Sequence, residues 1–282
     1  MDDAITRLRA AYDPAPELEW ARLADRLHAR LEYEVTSHAL ERHLPPPPAR
    51  VLDAGGGPGR YTIDLATKGY TVTLLDLSPA LLDYARARIA EADPRVAANV
   101  QAVVEGSIAD LSAFGDGEFD AVLCLGGVIS HLTDRGPRRQ TLGELRRVAK
   151  PGAPLFISAM NRLSGYRGAV QWLDQFDRIF PPDDGFSELL NGAKVYEFLP
   201  EEFASELAEA GLATETVYGS TGIAAHLSES SLEALRRSPE RWRRWHAAFL
   251  ATCDHPSIVG LSPHLLAVCR ARQAPGVQIR HT

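Results

Sequence analysis

Apolar residues recur at intervals of three and four between positions 16 and 44, where Trp20, Leu23, Leu27, Leu31 and Val35 form one stripe. That period predicts a single amphipathic helix. Pro45 to Pro48 ends it, because proline lacks an N–H and clashes with the preceding turn. Short apolar runs then take over, and they predict strands over 50–54, 70–76, 99–105, 119–125, 153–159, 213–219 and 264–270. Helical patterns near 59–68, 78–92, 137–149 and 200–210 separate them, and a long helical stretch over 228–253 precedes the last strand. Strands alternating with helices call for an α/β fold, a doubly wound and mostly parallel sheet of seven strands.

The junction of the first strand and the following helix carries the most chemistry. Residues 50–59 read Arg-Val-Leu-Asp-Ala-Gly-Gly-Gly-Pro-Gly. A glycine turn admits left-handed dihedrals and lets a ligand lie against bare backbone. The helix that follows turns free N–H groups and a partial positive charge toward it. The spacing disfavours two nucleotide motifs and leaves an NAD-dependent oxidoreductase as a distant alternative. Counting G-x-G-x-x-G from Gly55 puts Arg60 where a dinucleotide fingerprint needs its third glycine, and no Lys-Ser or Lys-Thr follows to make a phosphate loop. An acid inside the turn, Asp53, repels a pyrophosphate but suits a cationic amino-acid end. The second strand ends on Asp76, roughly 20 residues beyond the turn, where a ribose-binding carboxylate is expected. The alternative is a strand-end acid in a turn. Ser78-Pro79 opens the next helix as N-cap and first helical residue.

These residues resemble the class I S-adenosylmethionine-dependent methyltransferases. The likeness rests on Val51 to Gly59, Leu74-Leu-Asp-Leu-Ser78, Glu105-Gly-Ser-Ile-Ala-Asp-Leu111, Phe119-Asp-Ala-Val-Leu-Cys-Leu125 and Leu145-Arg-Arg-Val-Ala-Lys-Pro-Gly152. Those motifs stand in the family's order and cover roughly residues 48–160; Ser262 to Arg270 is similar to the family's closing strand. The resemblance implies that S-adenosylmethionine is the cofactor. Asp53, Gly55, Gly56, Gly57 and Gly59 would meet its amino-acid end, Asp76 its ribose hydroxyls, and Leu77 its adenine. Ser107, before Ile108, stands where many members place an aspartate toward the adenine amino group. Leu125 and Gly126 would close the fourth strand beside the sulfonium. The resemblance also implies that the helix over 16–44 lies across the cofactor mouth, and that the sheet ends in an antiparallel pair.

On the acceptor side, His131 is the one imidazole near the predicted chemistry, either as a general base or as a structural loop residue. Methyl transfer is an in-line displacement with a good leaving group, so positioning can carry most of the rate. The expected organisation is an N-terminal helical cap (1–47), a cofactor-binding core (48–160), a substrate lid (161–199), the rest of the core with helical elaboration (200–270) and a disordered tail (271–282). The lid segment holds Tyr166, Trp172, Phe176, Phe180, Phe186 and Tyr196. It leaves from the carboxyl end of a strand, where open α/β sheets bind ligands, so Tyr166, Trp172 and Tyr196 are candidate acceptor contacts, with mutual packing as the alternative. Tyr33, Thr36 and His38 are polar breaks in the first helix; Tyr33 is a further candidate acceptor contact, with ordinary surface as the alternative.

Composition narrows the rest. A length of 282 residues, 45% of them hydrophobic, suits one large α/β domain with an insertion or small cap. No run of about 18 uncharged apolar residues predicts a membrane span, and the acidic start Met1-Asp-Asp-Ala is unlike a secretory leader. Cys124, Cys253 and Cys269 form no C-x-x-C pair, which fits a reducing cytoplasm. No ligand set with recurrent spacing predicts a metal. A net charge of −7 gives no electrostatic reason to expect long nucleic acid. Basic clusters at Arg135 to Arg139, Arg146-Arg147 and Arg236 to Arg244 read as solvated helix faces, and Trp242, Trp245 and Phe249 as one inward face. The sequence therefore predicts a cytoplasmic methyltransferase acting on a small molecule. A methyltransferase for a modified tRNA base is the rival, and a non-methylating protein that keeps the cofactor pocket is a further alternative. The acceptor and the oligomeric state stay open.

Overall fold

The structure is a computed structural model and describes residues 2–171, 173–180 and 184–271. Nine strands are present among the described residues: β1 (Arg50–Ala54), β2 (Thr71–Asp76), β3 (Val100–Glu105), β4 (Ala121–Cys124), β5 (Pro154–Met160), β6 (Phe186–Glu188), β7 (Lys194–Tyr196), β8 (Leu212–Gly219) and β9 (His264–Ala271). Seven of them form one sheet in the order β3-β2-β1-β4-β5-β9-β8, and β6 pairs with β7 in a separate hairpin. The five strands from β3 to β5 run parallel, whereas β9 lies antiparallel between β5 and β8. This is the expected Rossmann-like methyltransferase sheet. The order turns back on itself at β1 and β4, and open α/β sheets bind ligands outside the carboxyl ends of such strands.

Thirteen helices are described: α1 (Asp2–Tyr12), α2 (Pro16–Ala21), α3 (Leu27–His43), α4 (Arg60–Thr67), α5 (Pro79–Glu91), α6 (Pro94–Asn99), α7 (Arg135–Val148), α8 (Arg162–Gln171), α9 (Phe176–Ile179), α10 (Pro200–Glu209), α11 (Glu229–Arg236), α12 (Pro239–Thr252) and α13 (Pro256–Val259). The central strands are buried on both faces, so alternate residues feed two apolar layers. Leu52, Val122 and Ile157 join Leu142, Leu145 and Phe203 on one side. Val51, Leu123 and Phe156 join Leu31, Val35 and Phe249 on the other. Phe249 is fully buried and Trp242 and Trp245 pack partly against the same layer, as their spacing requires.

The N-terminal region departs from expectation. The stripe from Trp20 to Val35 belongs to two helices, α2 and α3, separated by a turn over residues 22–26. No proline or glycine marks this break. It arises because the two halves are held by different surfaces. Trp20 lies between the guanidinium groups of Arg60 and Arg88, 4.3 and 4.9 Å from its ring centre. Leu27, Leu31 and Val35 pack down on the sheet instead. The free N-terminus of α3 is capped from far along the chain, where the Glu229 carboxylate accepts from the Leu27 N–H and pairs with His28 at 2.7 Å. Helix α3 thus flanks the sheet, and it is α1, α2 and the turn after them that cross the mouth, where Leu8, Tyr12, Arg22 and Leu23 face the cavity. Residues 272–282 of the expected tail lie outside the described residues.

Candidate active site

A cavity of about 610 Å³ opens at the carboxyl ends of β1, β2, β4 and β5. One half is built by the β1–α4 turn. Gly55, Gly57 and Gly59 all have φ between 55° and 79°, a region that glycine enters without strain. The chain folds back so closely that a Cβ on Gly56 would lie 2.5 Å from both the Asp53 carboxyl and Leu74. The Gly55 N–H donates to the Leu75 carbonyl at 2.7 Å, which ties the turn to β2. Asp76 accepts from the N–H of Gly57 at 2.8 Å through one oxygen and from that of Ser78 at 2.9 Å through the other. Each oxygen keeps a lone pair for a diol.

Asp53 is almost completely buried. Its Oδ2 accepts from the Thr62 hydroxyl at 2.7 Å, while its Oδ1 has no partner. Burial, aided by the charge of Asp76, pushes its carboxyl up to about 6. Burial raises Asp76 as well. A bare carboxylate oxygen beside a second acid is costly unless a cation completes it. S-adenosylmethionine brings an ammonium and a sulfonium and no phosphate, so the donor set fits that cofactor and opposes a dinucleotide.

Of the residues expected to hold the cofactor, Asp53, Gly55, Gly56, Gly57, Asp76, Leu77, Ser107, Ile108, Leu125 and Gly126 line this cavity. Gly59 does not. It is the left-handed N-cap of α4, where a Cβ would meet that of Ala85 at 3.2 Å. The Ser107 hydroxyl oxygen accepts from the Ala109 N–H at 3.2 Å.

The other half of the cavity carries Val128, Leu132, Met160 and Leu189 among polar groups. His131 is there, with the Tyr12 hydroxyl 3.0 Å from its Nε2. Its Nδ1 points toward the Lys194 backbone but finds no hydrogen-bond geometry. Burial pushes His131 down to about 4, so the ring is neutral at ordinary pH. Burial and the nearby Glu19 push Tyr12 up to about 12. Glu197 also faces the cavity; it accepts from the Ser187 hydroxyl at 2.5 Å, and burial pushes it up to about 7.

Tyr166 and Tyr196, two of the aromatic contacts expected from the insertion, are not in the lining. Tyr166 packs on Phe180, which stacks on Phe176. Tyr196 packs edge-on against Phe186 and Phe198 with the Arg138 guanidinium 4.1 Å over its ring. Trp172 lies outside the described residues. Tyr33 stacks on Tyr61 and donates to Asp64, so it backs the wall that Tyr61 forms. The insertion contributes Asn161, Ser164 and Leu189 to Asn191 instead. Arg22, Tyr61, Asn161, Glu197 and His264 form no spacing pattern, and only the fold brings them to one cavity. Among the described residues, no group of three or more His, Cys, Asp or Glu side chains is placed to hold a metal.

Comparison with known proteins agrees with this geometry. A family model described as a methyltransferase domain matches residues 51–152. The chain is 34% identical over 200 residues to a ubiquinone biosynthesis O-methyltransferase of Xanthomonas axonopodis pv. citri (strain 306), a match over 68% of this chain and 74% of that protein. The CcbJ methyltransferase of Streptomyces caelestis shares the fold with a TM-score of 0.61 at 16% identity, over 94% of this chain and 98% of that one. The 1,6-didemethyltoxoflavin-N1-methyltransferase of Burkholderia thailandensis, solved with its namesake compound and S-adenosylhomocysteine, gives 0.57 at 18% identity, over 95% and 88%. With two buried acids around a glycine turn, a cavity at the sheet's switch point and these relatives, the chain belongs to the class I S-adenosylmethionine-dependent methyltransferases.

Proposed function

We propose that this enzyme methylates a hydroxyl oxygen of a small organic molecule. The cofactor supplies a methyl group on a sulfonium, and the protein's task is to hold an acceptor oxygen in line with it and keep water out. The observation that carries the reading is the cavity itself: at about 610 Å³ it falls in the size range of small-molecule sites. Its acceptor half is apolar, with a few polar groups to fix orientation. The similarity to a protein named as an O-methyltransferase favours oxygen over nitrogen or carbon. In this reading Asp53 faces the cationic end of the cofactor and Asp76 its ribose. Neutral His131 and Tyr12 orient the acceptor.

The surface argues against a tRNA substrate. In two of the three basic clusters arginines are paired with acids: Arg135 with Glu209 at 2.7 Å, buried Arg138 with Glu206 at 2.7 Å, and Arg147 with Glu144 and Asp116. Cys124, Cys253 and Cys269 are buried free thiols, and no helix among the described residues is long and apolar enough to cross a membrane. Both fit a cytoplasmic enzyme. The test is methyl transfer from S-adenosylmethionine to a panel of phenols and catechols, run beside bulk tRNA across a salt series. Product from the small hydroxyl compounds and none from tRNA is expected. Methylated tRNA with steeply salt-dependent binding overturns the reading.

A further inference from the structure

We infer that His264, oriented by Glu32, is the group that takes the proton from the acceptor hydroxyl, an assignment that rests on the hydroxyl reading above. His264 opens β9 and lines the cavity. Its Nδ1 donates to the Glu32 carboxylate at 3.0 Å. In the neutral ring that bond leaves Nε2 as the bare, proton-accepting nitrogen. Nε2 faces the turn that ends β4: a Cβ on Gly127 would sit 3.5 Å from it, and one on Gly126 would sit 3.4 Å from Nη2 of Arg22. The same Arg22 lies 3.5 Å from the Glu32 carboxylate. Glu32 is thus a partly buried anion held between an arginine and an imidazole. Burial opposes its charge, yet His264 and Arg22 keep it down at about 2. A base fixed by a third group is the arrangement that proton removal from a nucleophile needs.

Two other titratable groups of the acceptor half, His131 and Glu197, are less suited as the base. His131 already spends Nε2 on Tyr12, and burial makes it a weak proton acceptor. Glu197 is bonded to Ser187 and has no charged partner within ion-pair distance among the described residues. The groups that face His264 are Glu32 on α3, Arg22 before it, His131 after β4 and Glu197 after β7. In the step, the acceptor O–H bond breaks and its proton moves to Nε2. The freed electron pair on oxygen forms the bond to the methyl carbon, whose former bonding pair stays on sulfur. Positive charge passes from sulfonium to an imidazolium that Glu32 stabilises.

The test compares catechol with 4-nitrocatechol, whose nitro group lets it ionise without help from a base. Both are assayed above the ionisation of the nitro compound, on the wild type and on the His264→Gln, Glu32→Gln and Glu197→Gln variants. S-adenosylhomocysteine affinity by calorimetry serves as the control for folding. In His264→Gln, catechol turnover is expected to fall by ~10²- to 10⁴-fold, the usual contribution of general base catalysis, while 4-nitrocatechol turnover falls only several-fold. Glu32→Gln gives the same differential, smaller, and carries the test if His264→Gln does not fold. Equal losses on both compounds, no loss, or the differential appearing only in Glu197→Gln overturns the assignment and leaves the methyltransferase reading standing. If the wild type methylates no compound of the phenol panel, the hydroxyl reading fails and this inference fails with it.

Discussion

Asp53 shows how a binding site is kept ready at the expense of stability. A carboxyl raised to about 6 by burial binds its proton more tightly in the folded chain than in the unfolded one. It therefore adds stability that is fully present below the ordinary aspartate range and is lost as pH rises through about 6, on the order of 3 kcal/mol for a shift of about two units. Asp53→Asn should raise the melting temperature of the ligand-free enzyme at neutral pH and weaken S-adenosylhomocysteine binding. Wild-type affinity should fall as pH drops below about 6, with protons released on binding; titration calorimetry in two buffers of different ionisation heat reads both, and a flat affinity contradicts the role. Gly56→Ala should destabilise by about 1–3 kcal/mol, because the new Cβ would overlap Leu74 and the Asp53 carboxyl; a urea melt with unchanged midpoint would refute this. Asp53 and Asp76 are legible in the sequence because strand, turn and acid lie within one local motif. Arg22, Glu32 and His264 are not, since their only link is the folded sheet.

Among the elements, α7 links the acceptor side to the far flank of the sheet. Arg138, 2% exposed, bonds Glu206 on α10 through two nitrogens and the carbonyls of Leu132 and Thr133 just after His131. Removing one partner of a buried pair leaves the other charge stranded. Arg138→Met should cost about 3 kcal/mol in chemical denaturation and lower turnover more than cofactor affinity. Equal loss of both would show that the residue holds the whole core rather than the His131 turn. Most elements are readable from the sequence because each buried strand is a short apolar run and each helix keeps its own period. The N-terminal helices mislead because nothing local breaks the stripe between Trp20 and Val35; the break is imposed by Arg60 and Arg88 on one side and the sheet on the other. The insertion's aromatics mislead for the opposite reason: their spacing marks a packed cluster without saying whether a ligand or their own neighbours fill it.

At the scale of the molecule, the cavity is closed by two pieces of chain that are not part of the sheet. Asn161, Ser164 and Leu189 to Asn191 of the insertion line one side of it, and Leu8, Arg9, Tyr12, Glu19, Arg22 and Leu23 of the N-terminal region line another. The second cover is fastened by polar contacts. Arg9 donates to the Leu77 carbonyl at 3.1 Å and to Glu105 at 2.5 Å, Asp13 accepts from Ser78, and Trp20 sits between Arg60 and Arg88. Such contacts weaken with ionic strength. Trp20→Ala and Arg9→Ala should therefore speed dissociation of S-adenosylhomocysteine in stopped-flow displacement; unchanged off-rates would show that this cover does not gate exchange. Leu77 and Ser78 directly follow Asp76, the carboxylate expected at the ribose, so the fastening is made to the same short stretch that the nucleoside must reach. That overlap predicts a compulsory order in steady-state kinetics, with the nucleoside first to arrive and last to depart.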